Sequence, residues 1–193
     1  MRLFLILLAA GDGKRFGGNK LLSEFHEKPM YRYLVEEIEK LPEGTFAGKL
    51  VVTQYEKLGE DLDRLGYRVV HNHESSLGIS HSIHLALGAL AEEEEKGDGE
   101  TAYCFAVCDQ PYLKASTVLR LIEGWKKSGR GLGCLCNLGE LGNPVIFSSC
   151  YREELMGLTG DVGGKRVVRK HIEDLFLQEV DDGLELVDID VKM

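Results

Sequence analysis

Leu3-Phe4-Leu5-Ile6-Leu7-Leu8-Ala9-Ala10-Gly11-Asp12-Gly13-Lys14-Arg15-Phe16-Gly17-Gly18-Asn19-Lys20 is the stretch that decides the fold class. Its first half, Leu3 to Ala10, is a continuous apolar run without alternation. That is the pattern of a strand buried on both faces of a parallel sheet. Its second half is a loop rich in glycine, lysine and arginine. Glycines let a backbone turn tightly and approach a ligand closely, and successive N–H groups in such a loop form a nest for anions. Arg15 and Lys20 add charge that can balance a triphosphate. Two common phosphate patterns nearly fit and fail. A dinucleotide loop would need glycine where Phe16 stands, and a Walker A loop would need Gly-Lys-Ser/Thr where the chain reads Gly18-Asn19-Lys20-Leu21. An ordinary strand-to-helix turn with solvated charges explains this density of Gly, Arg and Lys less well. The apolar run also has the outline of a secretory leader, but at eight residues it is at the short limit for one.

The strand-then-helix rhythm continues outward from this stretch. Pro29 starts a helix carrying Met30, Tyr33, Leu34, Ile38 and Leu41, which Pro42 ends. Leu50 to Thr53 reads as a strand, Leu58 to Leu65 as a helix stopped by Gly66, and Tyr67 to His71 as a strand. A helix is expected over Ser80 to Ala91, a buried strand over Ala102 to Cys108 and a helix over Ser116 to Trp125. Leu132 to Leu135 and Val145 to Phe147 are strand candidates, and Val162 to Ile172 a helix. Leu175 to Val180 and Leu184 to Ile189 are expected to pair as a hairpin around Asp182-Gly183. Alternating strands and helices predict a single α/β domain over residues 1–193, Rossmann-like, with a mostly parallel sheet.

The second informative stretch is Tyr103-Cys104-Phe105-Ala106-Val107-Cys108-Asp109-Gln110-Pro111. A buried strand ends in a carboxylate, and ligands of open α/β sheets sit at the carboxyl ends of strands. An Asp there, near a phosphate loop, can bind Mg²⁺, which takes one or two carboxylates plus substrate phosphates. A helix-capping Asp is the structural alternative, and the neighbouring glycine-rich loop favours the metal.

The charge balance excludes some functions. With 23 Lys+Arg against 32 Asp+Glu, the chain carries a net charge of −9, which argues against a protein that coats nucleic acid. No apolar run approaches the roughly 18 residues of a membrane span, and we read the protein as cytoplasmic. The five cysteines include no C-x-x-C pair, so reduced packing thiols are expected. His71, His73, His81 and His84 could be drawn as a zinc site, but no cysteine lies at finger spacing, and packing histidines are expected.

Leu8-Ala9-Ala10-Gly11-Asp12-Gly13-Lys14-Arg15-Phe16-Gly17-Gly18-Asn19-Lys20-Leu21-Leu22 resembles the L-A-A-G-x-S-x-R-[MF]-G-x-x-K-L-L signature of MobA-like nucleotidyltransferases. The resemblance is strongest to the molybdenum cofactor cytidylyltransferases and the related proteins of xanthine dehydrogenase maturation. Asp109-Gln110-Pro111 matches that family's D-[MQ]-P motif, and Gly78-Ile79-Ser80-His81-Ser82 its loop near base and ribose. Gly142 to Phe147 and Leu158 to Arg166 resemble segments expected to shape the pterin side of the pocket. Val187-Asp188-Ile189-Asp190 matches the start of a D-I-D-T-P-x-D motif, followed by Val191-Lys192-Met193, so that the Thr-Pro and the second acid are missing. Gly13 stands where the signature has Ser, which removes a hydroxyl donor.

The resemblance implies a three-layer sandwich like that of nucleotide-diphospho-sugar transferases. It implies transfer of CMP from CTP to molybdopterin, with Mg²⁺ as cofactor and pyrophosphate released. Catalytic roles fall to Arg15, Lys20 and Asp109. Nucleotide contacts fall to Leu8, Ala9, Ala10, Gly11, Gly13, Arg15, Lys20, Gly78, Ser80 and Ser82, with main-chain groups of Leu8 to Gly11 reading the base. Asp109 is the expected metal ligand and Asp190 the suspected second one. Two alternatives stay open. One is a GTP-using guanylyltransferase of the same family, or another phosphate acceptor. The other is a maturation chaperone that binds the cofactor and delivers it to a molybdenum hydroxylase. Neither a nucleic acid nor a membrane is an expected partner.

Overall fold

The computed structural model describes residues 1–11, 13, 19–96 and 99–189. In chain order the regular elements are β1 (Arg2–Ala9), β2 (Glu24–Phe25), β3 (Lys28–Pro29), α1 (Met30–Ile38), β4 (Gly48–Thr53) and α2 (Glu56–Asp63). They continue with β5 (Arg68–His71), α3 (Ile79–Lys96), β6 (Thr101–Val107), α4 (Ala115–Ser128), β7 (Leu132–Asn137) and β8 (Glu140–Ser148). The last are α5 (Arg152–Met156), α6 (Lys165–Lys170) and β9 (Leu175–Glu179). The main sheet has the order β5-β4-β1-β6-β8-β7-β9. Every neighbouring pair is parallel except those that β8 makes with β6 and β7. β1 therefore sits mid-sheet between two parallel partners, which is why its sequence carries no alternation.

The sheet is covered on both faces. Leu3, Leu5 and Leu7 of β1 point to one side, with Ala102, Cys104 and Ala106 of β6, and meet α1, α2 and α4. Phe4 and Ile6, with Tyr103 and Phe105, point to the other side and meet α3, α5 and α6. Period-two alternation thus splits one strand between two cores, and each buried Leu, Ile or Phe contributes about 1.5–3 kcal/mol. α1 buries Met30, Tyr31, Leu34, Val35 and Ile38, a helical stripe. α4 does the same with Val118, Leu121, Ile122 and Trp125, and stops at Gly129, whose φ is 67°.

The C-terminal third departs from the sequence expectation. Asp182-Gly183 does not turn a hairpin. The Asp182 carboxylate accepts a hydrogen bond from the Leu184 amide, 3.0 Å, and residues Gly183–Leu186 form a 3-10 turn instead. The segment after it, to Ile189, is not a strand. It crosses the end of β6, and the Ile189 amide donates to the Asp109 carbonyl at 3.1 Å. The hairpin that does form joins β7 to β8 through Leu138 (φ 51°) and Gly139 (φ 84°). Both central residues are left-handed, as a two-residue hairpin turn demands. The helix expected over Val162 to Ile172 shortens to α6, which begins only after Gly163 and Gly164, two poor helix formers; a Cβ on Gly164 would lie 2.7 Å from the Phe147 ring.

Candidate functional site

A cleft of about 610 Å³ opens at the carboxyl ends of β1 and β6, where ligands of such sheets bind. Leu8, Ala10, Gly11, Gly13, Lys20, Gly78, Ser82 and Asp109 line it, so most of the predicted site residues converge. Arg15 and Asp190 lie outside the described residues.

Lys20 is aimed by a short turn. The Asn19 side-chain oxygen accepts from the Leu22 amide (3.2 Å), and its carbonyl accepts from the Ser23 amide (3.1 Å) and hydroxyl (2.8 Å). That turn buries Leu21 and sends the Lys20 ammonium to within 2.8 Å of Asp109 Oδ2. The two side chains are only 11% and 23% exposed. Asp109 Oδ1 is buried and has no hydrogen-bond partner among the described residues. A buried anionic oxygen without a donor or cation is costly. Hard oxygen donors suit Mg²⁺ or Mn²⁺, so Asp109 fits such an ion.

A second carboxylate approaches from the far end of the chain. Burial first, and the Asp109 charge second, raise the Asp188 carboxyl above its ordinary range. Gln110 as a neighbouring donor, and Lys165 and Lys20 through space, pull it the other way. Sequence reading chose Asp190 of this Asp-Ile-Asp segment. Asp190 lies outside the described residues; among the described ones, Asp188 is the C-terminal acid that feels the Asp109 charge. No group of three or more His, Cys, Asp or Glu side chains among the described residues is arranged to hold a metal. A pair of acids meets the need when phosphates complete the shell.

Three consecutive carbonyls of the first loop are tied down by three consecutive side chains that sequence reading passed over. Thr53 Oγ1 donates to Ala9 O (3.1 Å), Gln54 Nε2 to Ala10 O (2.7 Å) and Tyr55 Oη to Gly11 O (2.6 Å). The signal lay in the parallel register, which sets Ala9 beside Thr53. Ala9 itself is fully buried in the core and does not line the cleft, and each of these carbonyls already holds one donor.

Ser80 also departs from expectation. It is buried, and its hydroxyl (2.8 Å) and amide (3.2 Å) both donate to the Gly160 carbonyl. The two motif segments around Gly78 and Gly160 are therefore one structure. A Cβ at Gly78 would lie 2.4 Å from the Gly160 carbonyl group, so only glycine allows this approach. Gly160 and Asp161 thereby join the cleft wall. Ser82 lines the cleft while its hydroxyl accepts from buried Asn72 Nδ2 at 2.9 Å. Gly142 to Phe147 lies within β8 rather than in a turn. Among the histidines, His71 and His73 stack at 5.8 Å, and His81 Nε2 lies 3.8 Å from Glu74. No helix among the described residues is long and apolar enough to cross a membrane.

The comparisons with known proteins fit this geometry. The model of the family described as MobA-like NTP transferase domain matches residues 5–175. A bifunctional protein GlmU of Caldicellulosiruptor saccharolyticus is 28% identical over 151 residues, 77% of this chain and 31% of that protein. A probable molybdenum cofactor guanylyltransferase of Thermococcus gammatolerans is 33% identical over 125 residues, 64% of this chain and 57% of that one. The match thus spans about a third and just over half of those relatives' lengths. Among solved structures, the Rv0371c homologue from Mycobacterium sp. strain JC1 superposes with a TM-score of 0.76 at 23% identity, covering 99% of this chain and 92% of that one. Rv0371c of Mycobacterium tuberculosis in complex with manganese gives 0.71 at 18%, covering 94% and 90%. At these identities the structures establish the fold alone, the α/β sandwich that this chain shares with them.

Proposed function

We propose that this chain, which belongs to the MobA-like NTP transferase family, transfers a nucleotidyl group from CTP to the terminal phosphate of molybdopterin, in the cytoplasm, and releases pyrophosphate. The observation that carries the reading is the Lys20–Asp109 pair at the sheet's carboxyl edge, with Asp109 Oδ1 left without a donor. The ammonium and the carboxylate serve different partners, a phosphate and a cation, at one point in the cleft.

The chemistry is in-line attack on the α-phosphorus. The acceptor phosphate is already anionic, so no strong base is needed, and rate comes from positioning and charge stabilisation. Mg²⁺ or Mn²⁺ supplies charge neutralisation across the phosphates when bound. Asp109 would hold it, together with an acid of the C-terminal segment: Asp188, whose carboxyl feels the Asp109 charge, or Asp190, the expectation from sequence. Lys20, and in this proposal Arg15, offset the charge that develops on the α-phosphate and the leaving pyrophosphate. Gly11 and Gly13 let the loop lie close to the nucleotide, while Thr53, Gln54 and Tyr55 hold its carbonyls in place. Gly78 and Ser82 form the opposite wall.

The guanylyltransferase named among the relatives favours GTP as a second reading of the same site. Thermal unfolding with CTP, GTP, ATP and UTP, with and without Mg²⁺, separates the two. A ligand at about 100 times its Kd adds on the order of 2.7 kcal/mol, a shift of several degrees. A Mg²⁺-dependent shift with CTP alone supports the cytidylyl reading. A shift with GTP alone replaces it by the guanylyl one. No shift with any nucleotide removes both and leaves a cofactor-delivering chaperone for a molybdenum hydroxylase.

A further inference from the structure

Asp109 and Asp188 come to the site from distant parts of the chain, and one buried side chain joins them. Gln110 is 2% exposed. Its Nε2 donates to the Leu186 carbonyl at 3.2 Å, and the Asp188 carboxylate is the next acceptor within the influence of its NH₂ group. Both partners are acceptors, so the amide can be oriented only one way, with its NH₂ toward the C-terminal segment. Its Oε1 is consequently buried without a donor among the described residues, as Asp109 Oδ1 is on the residue before. A glutamine serving only to complete a turn would have its oxygen satisfied. Here the acceptor is left without a donor among the described residues while the NH₂ group turns toward the crossing segment.

We propose that Gln110 is a positioning residue. It grips the segment Leu186–Ile189 so that the Asp188 carboxylate stands opposite Asp109, and it acts on the cation only through Asp188. The inference rests on reading those two acids as the cation site. It assigns a task to the middle residue of the Asp-Gln-Pro turn, which has none in that reading. The segment has other anchors. Ile189 donates to the Asp109 carbonyl at 3.1 Å, and buried Glu185 accepts from the Lys114 amide at 3.2 Å. Removing the Gln110 amide should therefore loosen the Asp188 side chain without releasing the chain.

The test is Mn²⁺ affinity of the full chain, read as free-Mn²⁺ electron paramagnetic resonance during titration with the metal alone. Gln110→Met keeps the length and bulk of the side chain and removes both donors. It should weaken Mn²⁺ binding by roughly 10- to 100-fold, the usual effect of losing a partner that orients a ligand, while the unfolding midpoint moves little. Gln110→Leu repeats the measurement should the methionine variant not fold. In an Asp188→Asn background the same substitution should change affinity less than about twofold, because its route to the metal is already gone. Unchanged affinity in Gln110→Met, or an undiminished further loss in the Asp188→Asn background, overturns the proposal while leaving the cation site intact. Wild-type protein that binds no Mn²⁺, or that binds it equally well as Asp109→Asn, overturns the cation site and this inference with it.

Discussion

Replacing Gly78 by Ala tests how the cleft wall is built. Gly78 has φ 90° and ψ 178°, a region essentially reserved for glycine, and alanine there costs about 1–3 kcal/mol. The new Cβ would also lie 2.4 Å from both the carbon and oxygen of the Gly160 carbonyl, and backbone cannot swing aside as a side chain can. The Gly160 loop must retreat by about an ångström to reach ordinary contact. That breaks the two hydrogen bonds from Ser80, each worth about 1 kcal/mol. The sum is about 3–5 kcal/mol, or on the order of 10 °C in midpoint for a chain of this size. Gly160→Ala is the internal control. Gly160 is also left-handed, at φ 64°, but a Cβ there meets nothing within 4 Å, so the cost is only the backbone strain of about 1–2 kcal/mol. The assay is urea unfolding of both variants, followed by nucleotide titration of whichever stays folded. Gly78→Ala no more destabilising than Gly160→Ala would refute the close-approach argument.

Two further outcomes follow from the core. The Tyr31 hydroxyl donates to Asp61 at 2.6 Å, and this bond, ahead of Arg32, holds the Asp61 carboxyl below its usual range. A lowered carboxylate stabilises the fold above its unfolded pKa, and that contribution is lost as pH falls through the folded value. Tyr31→Phe should therefore cost about 1.5–3 kcal/mol at neutral pH. Its deficit against wild type should narrow as the pH drops below about 4, as followed by thermal unfolding across pH. Of the five thiols, Cys150 is exposed, whereas burial alone pushes Cys104 up to about 12 and leads the rise of Cys134 to about 11. Ellman's reagent at pH 8 should label one thiol at once and the other four only on unfolding; rapid labelling of two or more would contradict the packing.

The sequence was most readable where burial is symmetric. β1 lies between two parallel partners and β6 between a parallel and an antiparallel one, both mid-sheet and covered on both faces, so unbroken apolar runs marked them and pointed to the carboxyl ends where Lys20 and Asp109 meet. Residues near one another in the chain also gave themselves away, as Gly66, with φ 81°, did by stopping the chain after α2. What stayed hidden depended on distant contacts. The tie between Gly78 and Gly160 joins segments some eighty residues apart, and the grip of Thr53, Gln54 and Tyr55 on the first loop becomes visible only with the parallel register. Asp182-Gly183 has the composition of a hairpin turn, but its carboxylate satisfies the Leu184 amide locally, and the chain bends instead of pairing. The true hairpin turn carries Leu138, which no turn preference would select and which is 90% exposed. Asp190, the acid that the motif singled out, lies outside the described residues, whereas Asp188 joins the site through the crossing segment, which only the fold brings to the end of β6.

The central claim is that Asp109 organises nucleotidyl transfer, and pyrophosphate release measures it directly. Wild-type protein and Asp109→Asn would each be given CTP or GTP, Mg²⁺ and molybdopterin, with circular dichroism confirming that both are folded. The account predicts Mg²⁺-dependent pyrophosphate release by the wild type with one of the two nucleotides. It predicts a fall of at least 10²-fold in the variant, on the scale of losing a preorganised electrostatic group. Equal release by the two proteins, or none from wild type that demonstrably binds nucleotide and acceptor, would contradict it.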